Sequence, residues 1–184
     1  MTRDQALALL HQHVQNPNLL KHMLAAEALM KGLARKFGES EDKWGLAGLL
    51  HDLDYDELRD KPEQHSLKAY EILKQTDLDP EVCEAIKIHN PLHGLKPETL
   101  LDKALYCAES LTGLVVACAL VQPDKKLVSL TPESVLKKFK SKSFAAGTKR
   151  DLIAQAPELI GINVEGLVEI CLTEMQKIAG DLGL

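Results

Sequence analysis

Five proline-glutamate pairs mark positions where a helix can begin, and they constrain the fold of this chain more than any other feature. Proline suits the first helical position because it has no N–H to leave unpaired there. Glutamate beside it favours the positive end of the helix dipole. Asp79 and Thr131 also provide good N-caps for two of the predicted helices. The pairs follow Lys61, Asp79, Lys96, Thr131 and Ala156.

The remaining pattern is also helical. Asn16-Pro17-Asn18 separates a first short helix from a second one that is predicted to run to about Phe37 and to stop at Gly38. Runs of β-branched residues at period two are missing, so no sheet is expected. The chain has 184 residues, which is long enough for one domain with a hydrophobic core. The sequence therefore predicts an all-α, single-domain helical bundle over residues 1–184.

Composition narrows the classes of function. Hydrophobic residues make up 45% and charged residues 27% of the chain, which is ordinary for a soluble globular protein. The net charge of -5 disfavours binding to a nucleic-acid polymer. The N-terminus lacks the pattern of a signal peptide, and the four cysteines occur singly, which is typical of a reducing cytosol. We therefore expect a cytoplasmic protein.

One segment, Ala104 to Val121, is nearly long and apolar enough to span a membrane. No second such segment exists, and we interpret this one as a buried central helix with no membrane role. Glu109 is its only charge, and no lysine or arginine is placed to pair with it on the same helix. A buried carboxylate costs several kcal/mol unless it is paired or binds a metal.

Four of the seven histidines are predicted to face inward, each from a different helix. A single inward histidine is usually a core residue with a hydrogen bond. Four of them together with Asp52 and Glu109 form a set of imidazoles and carboxylates without a thiolate. Such a set suits iron, manganese, cobalt, nickel or zinc. The four histidines are His22, His51, His65 and His89.

The order of these six residues resembles that of the HD-domain superfamily of metal-dependent phosphohydrolases, over roughly Leu19 to Leu120. The resemblance implies that His22, the pair His51-Asp52 and Glu109 hold one divalent ion. His65 and His89 fall where members with two metals carry two further histidines, and Asp52 would then bridge the ions. The resemblance implies one or two divalent ions in a core of about residues 19–120, and we expect the C-terminal helices of residues 131–184 to pack on this core.

The sequence departs from the family pattern at two places. The last ligand in the family is usually aspartate, whereas this chain has Glu109. Many members follow His-Asp with a small residue and a lysine, whereas this chain has Leu53-Asp54-Tyr55. With these departures, the sequence resembles a group of small, single-domain bacterial HD proteins.

The resemblance implies a phosphohydrolase that acts on a small phosphate ester or nucleotide through a metal-activated water. Asp52, with Asp54 and Asp56 as candidate bases, forms the predicted catalytic set. The alternative for Asp54 and Asp56 is an N-cap or a turn. Within the basic stretch Lys137 to Arg150, four cations are candidates for binding the phosphorylated substrate, and the alternative for them is a solvated surface. These four are Lys140, Lys142, Lys149 and Arg150.

Two other functions remain open from the sequence. Some six-ligand members of the superfamily are mixed-valence di-iron oxygenases, and a non-catalytic ligand-binding module is the third alternative. The apolar C-terminal helix, VEGLVEICLTEMQKIAG, is compatible with packing inside one chain or with a homodimer.

Overall fold

The computed structural model describes all residues, 1–184, and consists of helices joined by turns, without any strand. This confirms the predicted all-α fold. Two short 3₁₀ helices, Pro91–His93 and Leu127–Ser129, lie between the α-helices. The α-helices are α1 (Arg3–His13), α2 (Pro17–Phe37), α3 (Glu41–Leu50), α4 (Leu67–Leu73), α5 (Pro80–Ile88), α6 (Leu100–Leu120), α7 (Pro132–Phe139), α8 (Arg150–Ile153), α9 (Ala156–Ile160), α10 (Val164–Lys177) and α11 (Ala179–Leu182).

Three of the five predicted helix starts are confirmed. The side chain of Asp79 accepts the N–H of Glu81 at the start of α5, and that of Thr131 accepts the N–H of Ser134 in α7. Helix α9 begins at Ala156, directly before its proline. The second helix also ends as predicted, at a glycine with a left-handed φ of 74°.

The helix start predicted at Pro62 is wrong. The following residues form turns, and α4 begins only after Ser66. Ser66 has a φ of 73°, which a helix cannot contain. The carboxylate of Asp54 accepts the backbone N–H of Ser66 at 2.9 Å and helps to hold it in this conformation. His65 therefore reaches the core from a turn, and the prediction that a helix carries it is wrong.

The helix start predicted at Pro97 is also wrong. Helix α6 begins three residues later, at Leu100. Thr99 and Asp102 form a capping box there: the hydroxyl of Thr99 accepts the N–H of Asp102, whose carboxylate accepts the N–H of Thr99. A capping box satisfies two terminal donors at once, and it places the start of the helix after Thr99.

Helix α6 is the central helix of the bundle. By length and composition it could cross a membrane, yet 61% of its most apolar window is buried inside the fold. It packs against α2, α5 and the C-terminal helices. Leu105, Leu111 and Leu114 are fully buried, and Glu109 is only 5% exposed. The interpretation of this segment as a buried central helix is confirmed.

Helices α2 and α3 approach each other closely at Gly48. A Cβ atom at Gly48 would lie 2.5 Å from the carbonyl oxygen of Ala26 and 2.8 Å from the backbone nitrogen of Glu27. Any side chain there would push the two helices apart. This close approach brings His51, which caps the end of α3, against His22 on α2.

The C-terminal third of the chain packs on the same core. Helix α10 lies against α2 and α6, and α8 and α9 lie against α6. The segment between α7 and α8 ends at Lys149, whose backbone N–H donates to the hydroxyl of Ser110 on α6 at 3.0 Å. This bond places the segment beside the buried carboxylate of Glu109.

Candidate metal centre

The Nε2 atoms of the four inward histidines meet around the carboxylate of Asp52. His22 Nε2 lies 3.6 Å from Asp52 Oδ2. The other three lie near Asp52 Oδ1, at 3.4 Å for His51, 3.2 Å for His65 and 3.5 Å for His89. Two groups result, His22-His51-Asp52 and Asp52-His65-His89. Within each of them the potential ligand atoms lie within 4.8 Å of one another.

The Nδ1 atoms of these histidines point outward to acceptors. His51 Nδ1 donates to the carbonyl oxygen of Gly48 at 2.8 Å, and His89 Nδ1 donates to that of Ile86 at 2.6 Å. A carbonyl oxygen can only accept, so Nδ1 carries the proton in both rings. In the neutral ring the lone pair is then on Nε2, which faces Asp52. This is the orientation in which histidine ligates a metal.

The other two histidines are fixed by side chains. His65 Nδ1 donates to Asp54 Oδ1 at 2.7 Å. His22 Nδ1 lies 3.0 Å from the hydroxyl oxygen of Thr112, which itself donates to the carbonyl oxygen of Glu109 at 2.8 Å. Because that hydroxyl proton is used, Thr112 accepts the Nδ1 proton of His22. Thr112 was missed by the sequence analysis, since a threonine in an apolar helix gives no signal of such a role.

Two features of the cluster indicate that a cation belongs in it. The Nε2 atoms of His22 and His51 face each other at 3.1 Å, and two lone pairs at that distance repel unless a proton or metal lies at them. His89 Nε2 is buried and has no hydrogen-bond partner. Buried polar atoms are nearly always satisfied, so an orphaned one calls for an explanation. A divalent ion held by imidazole and carboxylate fits both features.

Charge in the cluster is unevenly distributed. Burial alone would raise the pKa of Asp52, but His51, His65 and His89 hold it well below its usual value. Burial lowers the pKa of His22 and of His89. At His65 burial is outweighed by hydrogen bonds to Asp52 and Asp54, which raise the pKa to about 9. Positive charge in the cluster is therefore favoured at His65, the ring that lies between the carboxylates of Asp52 and Asp54.

Glu109 lies at the edge of the cluster and has a partner that the sequence analysis did not identify. Its Oε2 is 3.6 Å from His22 Nε2 and 3.9 Å from His51 Nε2. Its Oε1 accepts from Lys149 Nζ at 3.1 Å. Burial opposes ionisation, but Lys149, His51 and His22 together lower the pKa of Glu109. The carboxylate therefore stays charged and presents one oxygen to the histidines.

Asp54 and Asp56, the two candidate bases, both accept hydrogen bonds from the protein itself. Both oxygens of Asp54 are engaged, one by His65 and the other by the backbone N–H groups of Ser66 and Ala69 at 2.9 Å. Asp54 therefore caps the start of α4 and orients a histidine. Asp56 accepts the backbone N–H groups of residues 15 and 16 at 2.8 Å, away from the cluster. These contacts favour the alternative given for both residues, a turn or a cap.

The four candidate cations do not lie together in the structure. Only Lys149 lines the cavity at the cluster. Lys140 and Lys142 are exposed and do not line it. The guanidinium of Arg150 donates to the carbonyl oxygens of Phe139, Ser141, Phe144 and Ala145, so it ties the preceding segment together. The expectation that the other three bind substrate is therefore not supported by their positions.

An open cavity of about 990 Å³ lies directly over the cluster. His22, Asp52, His65 and Glu109 form its floor, and Lys149 stands at its wall. Tyr55, Leu92 and Asn90 line it as well, as does the segment Ala145 to Thr148. The ring of Tyr55 packs edge-on against His65, with the centroids 5.1 Å apart. Four of the six metal-ligand candidates are therefore accessible to a molecule in the cavity, whereas His51 and His89 are buried and do not line it.

Comparison with known proteins gives the class to which this arrangement corresponds. The sequence model of the HD domain matches residues 19–115, more than half of the chain, and the chain belongs to the HD-domain family. This superfamily consists mostly of metal-dependent hydrolases. The match includes all six candidate ligands and ends before Lys149.

A curated relative shares part of this region. Ribonuclease Y of Lawsonia intracellularis (strain PHE/MN1-00) is 29% identical over 96 residues, which is 52% of this chain and 18% of the relative. The chain therefore covers less than a fifth of that protein's length. No solved structure matches the chain.

Proposed function

We propose that this chain is a metal-dependent phosphohydrolase that acts on a small phosphate ester, nucleotides included. One observation carries the proposal: the Nε2 atoms of four histidines converge on the two oxygens of Asp52, and each ring is fixed from its outer nitrogen. Held there, one or two divalent ions would activate a water and neutralise charge on a phosphoryl oxygen.

The candidate ligands form two sets around the shared carboxylate of Asp52. Asp52 Oδ2 lies towards His22, whereas Oδ1 lies towards His51, His65 and His89. A carboxylate whose two oxygens face different histidines is suited to bridging two ions, so we propose two metal positions. Glu109 Oε2 is available to complete the set that contains His22.

The volume and the lining of the cavity suit a small substrate. Its volume, about 990 Å³, is at the upper end of the range for small-molecule sites. Its lining combines the carboxylates and histidines of the floor with the half-exposed ring of Tyr55 and the exposed side chain of Leu92. The charged group of a phosphate ester can thus reach the metal ligands while its organic part lies against these two side chains.

The proposal is tested with protein that is loaded separately with manganese, cobalt, nickel, zinc or, without oxygen, iron. Phosphate release is measured with 4-nitrophenyl phosphate and a nucleoside monophosphate, and strand cleavage is measured with a short RNA. We expect turnover of the small esters and its loss in Asp52→Asn. Asp56→Asn, whose carboxylate lies outside the cluster, is the matched control and should retain the wild-type rate.

Other results would replace the proposal with a defined alternative. Cleavage of RNA without turnover of small esters would indicate a nuclease, as the name of the Lawsonia relative suggests for that protein. Oxygen uptake by the iron form without phosphate release would indicate a di-iron oxygenase. Bound metal with neither activity would indicate a ligand-binding module.

A further inference from the structure

Lys149 is a charged wall residue of the metal-site cavity and comes from outside the matched HD domain. Its Nζ donates to Glu109 Oε1 at 3.1 Å, while its side chain remains 38% exposed. The ammonium of lysine has three donors, and Glu109 uses one of them. The two others are free for an anion in the cavity.

The position of Lys149 is fixed from both sides. Its backbone N–H donates to Ser110 Oγ on the central helix at 3.0 Å. The next residue, Arg150, donates from its guanidinium to several carbonyl oxygens of the segment before it, among them Phe139 at 2.8 Å and Ala145 at 3.1 Å. This network holds the segment as a cavity wall, so little order has to be gained when a ligand binds.

The other lysine or arginine that lines the cavity is more exposed to solvent than Lys149. Arg59 also lines it, but its guanidinium is bonded to Asp56 at 2.7 Å and is 53% exposed to solvent. The electrostatic field of a buried or half-buried ammonium is screened less than that of an exposed guanidinium. Lys149 is therefore the dominant fixed positive charge beside the metal ligands.

The charges of the site favour a particular form of phosphate. Asp52 and Glu109 carry one negative charge each, and Lys149 cancels one of them. One divalent ion would make the site positive, and a second would make it strongly positive. A phosphate monoester presents a terminal group with two negative charges and three free oxygens, whereas a diester has one charge and two free oxygens. The extra oxygen is the one that a lysine at the wall could bind in addition to the metal ligands.

We propose that Lys149 binds the terminal phosphoryl group of the substrate and makes the site selective for phosphate monoesters over phosphodiesters. The selectivity for a substrate rests on the proposed phosphohydrolase function, but the binding of a phosphate dianion does not. Inorganic phosphate is therefore the probe for the dianion, and dimethyl phosphate, which has a single charge, is the probe for the diester.

The first experiment measures the binding of both probes to metal-loaded wild-type protein and to Lys149→Met, above the second ionisation of phosphate. A charge-assisted hydrogen bond of this kind changes affinity by roughly tenfold to a hundredfold. We expect Lys149→Met to weaken phosphate binding by that factor and dimethyl phosphate binding far less. Lys149→Arg should retain much of the affinity. Lys142→Met, on the same segment but outside the cavity, is the matched control and should bind as wild type does.

The second experiment does not depend on a variant, because removal of Lys149 leaves Glu109 without its partner and could alter metal content. Acetylation of lysines in metal-loaded wild-type protein is followed residue by residue by mass spectrometry. Phosphate should slow the acetylation of Lys149 severalfold while that of Lys142 stays constant, and dimethyl phosphate should have little effect. Equal rates at Lys149 with and without bound phosphate would overturn the proposal.

The two proposals fail in different ways. If wild-type protein hydrolyses no ester but phosphate still protects Lys149, the phosphohydrolase function is wrong and the anion site stands. If the protein hydrolyses monoesters and diesters equally and Lys149→Met with full metal content binds phosphate as wild type does, the role of Lys149 is wrong.

Discussion

The hydroxyl oxygen of Thr112 lies 3.0 Å from Nδ1 of His22, and it is the only partner that fixes the outer nitrogen of that ring. The two residues are 90 positions apart in sequence, on α2 and α6. This contact joins the central helix to the first candidate ligand and determines which nitrogen of His22 faces Asp52.

Thr112→Val should therefore weaken metal binding without unfolding the protein. Valine has nearly the same shape but cannot accept the Nδ1 proton, so the ring loses its orientation. Loss of such an outer partner typically reduces metal affinity about 10-fold to 100-fold. Competition titration with a metal indicator measures this, with Thr112→Ser, which keeps the hydroxyl, as the control. An affinity equal to that of wild type would show that the contact is not used.

Asp54→Asn distinguishes an orienting role from a catalytic one. The amide oxygen can still accept from Ser66 and Ala69, but the amide nitrogen would then face His65 Nδ1 and favour a proton on Nε2. We expect the variant to stay folded and to lose affinity for the ion on the side of His65. If Asp54 were a base, metal content would be normal and only turnover would fall. Metal titration beside rate measurement separates these results.

Gly48→Ala tests whether the close approach of α2 and α3 positions the cluster. The added Cβ would lie 2.5 Å from the carbonyl oxygen of Ala26, which is backbone and cannot move away cheaply. We expect a loss of about 1 to 3 kcal/mol in the free energy of unfolding, measured in urea, and weaker metal binding. Gly113→Ala on α6 meets open space and should be neutral or stabilising by up to about 1 kcal/mol. Similar results for both variants would contradict the close contact.

Glu27 lies outside the cluster and is only 4% exposed. Its carboxylate should make the stability of the protein depend on pH. Arg3 and Lys31 each donate to it at 2.6 Å. Burial alone would raise its pKa, but these two cations lower it below the unfolded value of 4.5. A lowered pKa contributes stability above the unfolded value, and this contribution is lost as the pH falls through the folded value.

Glu27→Gln should accordingly be less stable than wild type at pH 7, by about 1 to 3 kcal/mol, and the difference should shrink as the solution is acidified. Urea denaturation at a series of pH values measures it. Glu169→Gln, at an exposed position of α10, is the control and should not change stability appreciably at any pH. A Glu27→Gln difference that stays constant down to acid pH would argue against the ion pair.

Much of the fold could be predicted from local signals. Proline with a preceding cap marked the starts of α5 and α7, because both act within one helical turn. The start at Pro62 could not be recognised as wrong, since the bonds that hold Ser66 outside a helix come from Asp54 and from the carbonyl oxygen of Lys87. Those contacts exist only once the chain is folded.

The candidate site could also be predicted only in part. His22 could be placed on an inner face because its neighbours at helical spacing are apolar, and Glu109 stood out as the one charge in an apolar helix. Pairing of Glu109 with Lys149 joins residues 40 positions apart, and no spacing rule connects them. Asp54 was predicted as a base because it follows Asp52 closely, but the two carboxylates contact opposite nitrogens of His65, and Asp54 also accepts backbone N–H groups of Ser66 and Ala69.

The most direct test of the central claim is the number of divalent ions bound per chain, measured by elemental analysis after loading and removal of excess metal. We expect two ions in wild-type protein and their loss in Asp52→Ala, whose fold is checked by circular dichroism. Wild-type protein that binds no metal after loading, or an Asp52→Ala variant that binds as much as wild type, would contradict a metal centre around Asp52.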